Sequence, residues 1–164
     1  MYDTYGGIPQ IGCEMSVGLD EAAEFMLGIR YGGVSGDPFY DSLEFEGNDD
    51  VSLRAVPITA GFRINAAKNP RFRLYWGACF EATWMEERVP SFNPNSLDPR
   101  RTDRGWGKGM RLSLAPEWRS RDQRRALGLS FEWGGSSGEV GAGYHHHEVN
   151  MIGIGARLHF TQAL

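Results

Sequence analysis

The sequence is short of lysine and of long apolar runs. Only Lys68 and Lys108 are lysines among its 17 basic residues, and the others are arginines. A water-exposed β surface usually carries many lysines, whereas arginine suits partly buried ion pairs. No segment approaches the roughly 18 consecutive apolar residues of a membrane-spanning helix, which excludes a helical membrane protein. The net charge of −4 gives no basis for a nucleic-acid partner.

Cysteine is also scarce, and no disulfide is expected. Strand alternation puts Cys13 on the apolar face of its segment and Cys79 on the polar face of a segment that is not its neighbour. A disulfide needs Cα atoms within about 7 Å, so we predict two free thiols. The first residues, Met1–Thr4, have neither a basic nor an apolar stretch, so no signal peptide is expected there.

What the chain has instead is alternation of apolar with polar or glycine residues. Twenty-two glycines and 12% aromatic residues favour β structure with close backbone contacts. In the last segment, Ile152, Ile154 and Leu158 share one face, while Gly153 and Arg157 share the other. Seven such segments are predicted strands in one domain spanning residues 1–164: about 10–19, 25–34, 51–65, 72–85, 108–119, 125–134 and 149–160. Their alternation slips near Ala55–Val56, before Pro57, which predicts a β-bulge.

Three features indicate that the apolar face points outward into lipid. The polar faces carry a nearly balanced set of charges, which predicts an ion-pair network in a narrow lumen. Its expected members are Glu14, Arg30, Arg63, Glu81, Arg111, Glu117, Glu132 and Arg157. Aromatic residues lie near the strand ends, and short turns alternate with long loops at about 35–50, 87–107 and 135–148. The sequence therefore predicts an all-β, antiparallel up-and-down transmembrane barrel; a soluble barrel or sandwich with a wet polar face is the alternative.

Two segments then resemble a known family. Val56–Arg63 and Leu74–Glu81 are similar to the central strands of small OmpA-like outer-membrane β-barrels of Gram-negative bacteria, and Arg157–Phe160 is similar to their C-terminal strand. The resemblance covers about residues 10–160 and implies localisation in the bacterial outer membrane. The partners it implies are outer-membrane lipid, lipopolysaccharide and the barrel-assembly machinery. A monomer without cofactors is expected.

Loop alternation predicts that one strand is missing. If the short turns are periplasmic, the first and last of the seven segments both run downward. Bacterial barrels usually have an even number of strands, so we expect an eighth strand before residue 10. Residues 1–9 are too short and too glycine-rich to supply it. The chain is thus expected to lack its original first strand, unless seven strands close directly or pair with another chain.

Few residues suggest chemistry. His145 and His147 would converge from one strand side and are weak metal-ligand candidates, with a solvated loop as the simpler interpretation. A lipid A deacylase, also a barrel, would need a serine where His147 stands, so no enzyme and no catalytic residue is predicted. The acidic loop between Asp37 and Asp50 lacks the spacing of a calcium loop. Four arginines of the second long loop could contact lipopolysaccharide phosphates: Arg88, Arg100, Arg101 and Arg104.

The predicted role is structural, adhesive or surface-interactive, through the long outer loops. Two other functions stay open. A narrow pore would need a lumen that the charged side chains do not fill. A soluble lipocalin-like carrier would need an apolar interior that binds an apolar ligand.

Overall fold

The computed structural model is all-β and describes residues 8–20, 22–36, 51–67, 69–90, 100–122, 124–142 and 145–162. Its strands form one antiparallel up-and-down sheet in which every strand pairs with the next along the chain. The seven strands are β1 (Gln10–Gly18), β2 (Ala23–Gly36), β3 (Val51–Asn65), β4 (Phe72–Pro90), β5 (Arg100–Arg119), β6 (Arg125–Ala142) and β7 (His145–Gln162). Seven strands were expected, and the all-β up-and-down class is confirmed.

The later strands are longer than predicted. β4 continues to Pro90, β5 begins at Arg100, and β6 and β7 approach each other at Ala142 and His145. Long loops were expected at about 87–107 and 135–148. This prediction is wrong for most of the described residues there, because they lie in strands that extend two hairpins. The prediction failed because charged and glycine-rich residues replace the apolar alternation there, although backbone pairing needs no apolar side chain. The acidic loop from Asp37 to Asp50 lies outside the described residues.

The bulge expected at Ala55–Val56 is also wrong. Ile29 pairs with Ile58 and Gly32 pairs with Ala55, so β2 and β3 keep one register across Pro57. The apparent slip has another cause. Leu53 faces inward like the polar residues farther along β3, because the interior is apolar at that end of the strand.

The two faces of the sheet are sharply different. Along β3 to β6, alternate residues are buried and exposed, with polar or small side chains on the buried face. Many large apolar side chains lie on the exposed face: Ile58, Phe62, Ile64, Trp76, Phe80, Trp106, Met110, Trp118, Leu127, Phe131 and Trp133. This is the reverse of a water-soluble sheet, in which the apolar face is covered.

The sheet curls strongly toward its polar face. β2 and β6 are four strands apart, which would separate them by about 19 Å in a flat sheet. Nevertheless Arg30 Nη1 on β2 lies 2.9 Å from Glu132 Oε2 on β6. Arg157 Nη2 on β7 likewise lies 3.1 Å from Glu14 Oε2 on β1, although these are the two edge strands. Side chains of distant strands meet because the polar face is concave, and we call its enclosed space the interior.

The curled sheet is open between its edges. Within the described ranges no backbone pairing joins β1 to β7. Every residue of β1 is exposed, including Glu14 and Ser16, which point inward. Gly153 and Gly155 of β7 have no atom within 4 Å of the position a Cβ would take. We call this open side, between β1 and β7, the seam.

A small apolar cluster lies inside the sheet at the end where the strands are longest. Leu53, Met85, Val140 and Val149 bring together four strands and are almost completely buried. Ile8, Val34 and Met151 pack against them. The interior is thus layered along its axis, with charged groups in the middle and, at this end, apolar side chains beside the buried carboxylates of Glu87 and Asp103.

The short connections at the other end are held by aspartate side chains. The backbone amides of Ala22 and Ala23 donate hydrogen bonds to Asp20 Oδ1 at 2.7 and 2.6 Å, and these bonds hold the pKa of Asp20 below its usual value. Asp122 accepts hydrogen bonds from the Ser120 hydroxyl and the Arg124 amide, which lower its pKa in the same way. Such side-chain bonds to the backbone are typical of tight turns.

One glycine is required by backbone contact between β5 and β6. Gly134 has a φ of +145°, and a Cβ there would collide with the backbone of Met110 and Arg111. A side chain at Gly134 would therefore push away the strand that carries Arg111, whose guanidinium belongs to the interior.

Among the described residues, no helix is long and apolar enough to span a membrane.

The layering predicts unequal effects for two methionines. Met85→Ala should lower the free energy of unfolding by about 2–4 kcal/mol, because it opens a cavity in the buried cluster. Met110→Ala, on the exposed face of β5, should cost less than about 1 kcal/mol. Denaturant unfolding followed by tryptophan fluorescence measures both. Equal losses would contradict the assignment of the interior.

Candidate functional site: the interior ion pairs

The interior holds a chain of charged side chains contributed by all seven strands. Side chains alternate between the two faces of a β-strand, so residues two positions apart point to the same face. This alternation brings the charged residues to the inner face. Five arginines and four glutamates make up the connected set: Arg30, Arg63, Arg73, Arg111, Arg157, Glu14, Glu24, Glu81 and Glu132. Their formal charges nearly cancel, leaving +1, and we call this set the ion-pair network.

Glu132 is the centre of the network. Its carboxylate accepts contacts from Arg30 Nη1 at 2.9 Å, Arg111 Nη1 at 3.1 Å and Arg157 Nη2 at 3.0 Å. These arginines come from β2, β5 and β7, and Glu132 itself is only 5% exposed. A buried carboxylate is costly unless it is paired, so three guanidinium partners explain how it is tolerated.

The network extends from Glu132 in two directions. Arg111 Nε donates to Glu81 Oε2 at 2.9 Å, and Glu81 also accepts a hydrogen bond from the Thr83 hydroxyl at 3.1 Å. Toward the seam, Arg157 connects Glu132 to Glu14. Glu14 then lies 4.0 Å from Arg63 Nη1, which links the centre to a second group near the short turns.

That second group is built around Glu24. Arg63 Nε donates to Glu24 Oε2 at 2.8 Å, and the Tyr75 hydroxyl donates to Glu24 Oε1 at 2.7 Å. The Arg63 guanidinium also stacks over the Tyr75 ring, 4.1 Å from its centroid, as in a cation–π contact. Arg63 is therefore held on two sides, by a carboxylate and by an aromatic face.

The structure brings together seven of the eight residues that the sequence singled out for the lumen. The eighth, Glu117, joins them indirectly, because it binds Arg119 Nε at 3.0 Å and Arg119 Nη2 donates to the Tyr75 hydroxyl at 3.3 Å. Glu24 and Tyr75 were not among the eight. Glu24 precedes the predicted second segment by one residue, so extending the alternation by one step would have found it. Alternation along Leu74–Glu81 puts Tyr75 on the polar face, but it has no charge that would mark it as a network member.

The interior leaves little free space. A cavity of about 20 Å³ lies among the charged groups, which is room for about one ordered water molecule. It is bordered by the network and by Met26, Cys79, Ser113 and Ser130. Filling by arginine and glutamate side chains is consistent with the small interior of a narrow curled sheet.

Guanidinium groups hold the two central carboxylates of the interior. Arg111 donates to both Glu81 and Glu132, and Arg30 also donates to Glu132. The hydroxyls of Thr83 and Ser136 lie 3.1 Å apart. Cys13 and Cys79 are both free thiols, as predicted.

The metal candidates are not tested. The backbones of His145 and His147 pair with Ala142 and Val140, but their side chains lie outside what the structure describes. Elsewhere in the described part of the chain, no group of three or more His, Cys, Asp or Glu side chains is arranged to hold a metal ion.

Comparison with protein-family models, with curated proteins and with solved structures finds no match to this chain.

The hub position of Glu132 gives a direct test. Glu132→Gln should lower the free energy of unfolding by about 3–5 kcal/mol, because three arginines lose their shared carboxylate. Glu139→Gln removes the same charge from an exposed position on the same strand and should change it by less than about 0.5 kcal/mol. Chemical denaturation of the two variants, side by side, measures the difference. A Glu132 variant as stable as the Glu139 variant would show that the network is dispensable.

Proposed function

We propose that the protein is a small bacterial outer-membrane β-barrel whose role is structural, adhesive or surface-interactive. The observation that carries this proposal is the inverted arrangement of the two faces. Charges are gathered and paired on the concave face, while large apolar side chains cover the convex face. In water this apolar convex surface would promote aggregation, whereas in a bilayer it would make favourable contacts with lipid acyl chains.

The height of the apolar band supports a membrane location. On β4 and β5, two aromatic pairs face outward in register: Phe72 with Trp118, and Trp84 with Trp106. Trp84 follows Phe72 by twelve residues. For a strand tilted by about 40°, this length of strand spans about 30 Å along the membrane normal. Aromatic girdles about one hydrocarbon thickness apart are expected at the two interfaces of a bilayer.

Closure requires one more strand in this proposal. In an up-and-down sheet of seven strands, β1 and β7 run in the same direction, so direct closure would pair them in parallel. One strand antiparallel to both would fill the seam, cover Gly153 and Gly155, and satisfy the backbone groups of both edges. Lipid tolerates no unpaired edge, which is why the seam favours an eighth strand. That this strand precedes β1 stays a prediction.

The filled interior favours a closed structural barrel over a pore. A conducting lumen needs a continuous water path, and the ion-pair network crosses the interior from β2 to β6 and from β7 to β1. The apolar cluster of Leu53, Met85, Val140 and Val149 narrows it further at one end. The long hairpins β4–β5 and β6–β7 extend beyond Trp84 and Trp106, and they offer the surface for an adhesive or interactive role.

Folding in water and in detergent micelles tests the proposal. We expect a β-type circular dichroism spectrum and a faster-migrating band in unheated than in heated gel samples, in micelles alone. The physical reason is that only micelles cover the apolar convex face. Cooperative unfolding of a β fold in water without detergent would contradict the membrane barrel and favour a soluble fold.

A further inference from the structure

An arginine cluster lies on the convex face, just beyond the Trp84–Trp106 pair. Glu86 is its centre, with Arg54 of β3 and Arg104 of β5 directly opposite it on the two neighbouring strands. Arg88 lies two residues farther along β4 and so shares its face. The distances to the Glu86 carboxylate are 3.6 Å from Arg54 Nη1, 3.5 Å from Arg88 Nη2 and 3.0 Å from Arg104 Nε.

The cluster is unlike the nearly balanced network inside. Three guanidinium groups share one carboxylate, so the cluster by itself has a formal charge of +2; Glu139, opposite Trp106 on β6, shares the convex face with it. The Glu86 side chain is only 7% exposed, whereas those of Arg54, Arg88 and Arg104 are 44%, 40% and 67% exposed. Arg88 Nε is moreover buried without a hydrogen-bond partner among the described residues. Glu86 thus gathers the three arginines, while their outer surfaces stay available.

The position of the cluster identifies its ligand. Trp84 and Trp106 face outward next to it, and Lys108 lies on the other side of Trp106 on the same face of β5. Tryptophan marks the headgroup level of a bilayer, and long cationic side chains extend toward that level. Uncompensated positive charge on a lipid-facing surface is unfavourable unless an anion neutralises it. At this level the anions of a membrane are lipid phosphates.

We propose that the cluster of Arg54, Arg88 and Arg104, arranged by Glu86, binds phosphate groups of membrane-lipid headgroups. Guanidinium groups form paired, charge-assisted hydrogen bonds with phosphate oxygens, and a charge of +2 matches one or two phosphate groups. Trp84 and Trp106 would contact the acyl chains of the same lipid. This inference rests on the proposed membrane barrel and names one class of lipid that it binds.

Tryptophan quenching by brominated lipids tests the site. The chain is folded in octyl glucoside micelles, and folding is checked first by gel mobility. Brominated phosphatidic acid or brominated phosphatidylcholine is then titrated in. We expect phosphatidic acid to reach half-maximal quenching at a concentration about tenfold lower than phosphatidylcholine, since only its phosphate monoester lacks a covering choline.

Two variants separate the cluster from general charge. R54Q/E86Q/R88Q/R104Q replaces the cluster by amides, leaves no unpaired buried carboxylate and removes two positive charges overall; it should lose the preference. R71Q/R124Q removes the same net charge from exposed residues at the turn end and should keep it. Arg104→Gln alone changes the most exposed arginine of the cluster and should partly reduce the preference for phosphatidic acid. This variant is used instead if the fourfold variant does not fold.

The outcomes distinguish this inference from the membrane proposal. A chain that does not fold in micelles overturns both. A folded chain without preference for phosphatidic acid, or an R71Q/R124Q variant that loses the preference equally, overturns the lipid site alone. Inorganic phosphate at the same concentration should not relieve the quenching. If it does, the site takes free phosphate and the assignment to lipid is wrong.

Discussion

The structure depends on the pairing of charges that the strands carry to one face. Glu132 on β6 binds arginines from its two neighbours, β5 and β7, and from β2, which is four strands away in the order of the sheet. Because a carboxylate away from water is unfavourable without such partners, these contacts stabilise the curvature that brings them together. Curvature in turn puts every outward residue on a convex surface. The apolar exterior and the filled interior are therefore consequences of one constraint, the satisfaction of buried charge.

Period-two alternation carried most of the prediction of the fold. A strand has only two faces, so the assignment of one residue determines the face of all its neighbours, and Gly153, Ile154 and Arg157 were sorted correctly in this way. The strand ends were predicted less well. Between Glu86 and Pro90, and between Gly135 and Ala142, charge and glycine hide the pattern, while backbone hydrogen bonds continue the hairpins. The hydropathy pattern marks only the part of each strand that carries the apolar band, whereas the backbone hydrogen bonds between strands continue beyond that part.

The ion-pair network was predictable in its members but not in its partners. Alternation placed Arg30 and Glu132 on the polar face, yet their contact joins residues separated by 102 positions and exists only because the sheet curls. The curvature of the sheet depends on the glycines and side-chain volumes of all strands together. It therefore cannot be predicted from the sequence of any single segment. The cluster around Glu86 was predicted only in part. Arg88 and Arg104 were named as candidates for phosphate contacts, but Arg54 and Glu86 were not, because cross-strand register decides which residues meet on the convex face.

The outward face of the sheet changes at the level of Trp84 and Trp106. On the turn side of this level, apolar side chains face outward and the network fills the interior. On the other side, Arg54 and Arg104 face outward, while Leu53 and Met85 face inward together with the buried carboxylates of Glu87 and Asp103. In the proposed membrane barrel, a boundary between lipid and water at the tryptophan level would account for this change of the outward face, since each part would then present to its surroundings the groups that those surroundings solvate.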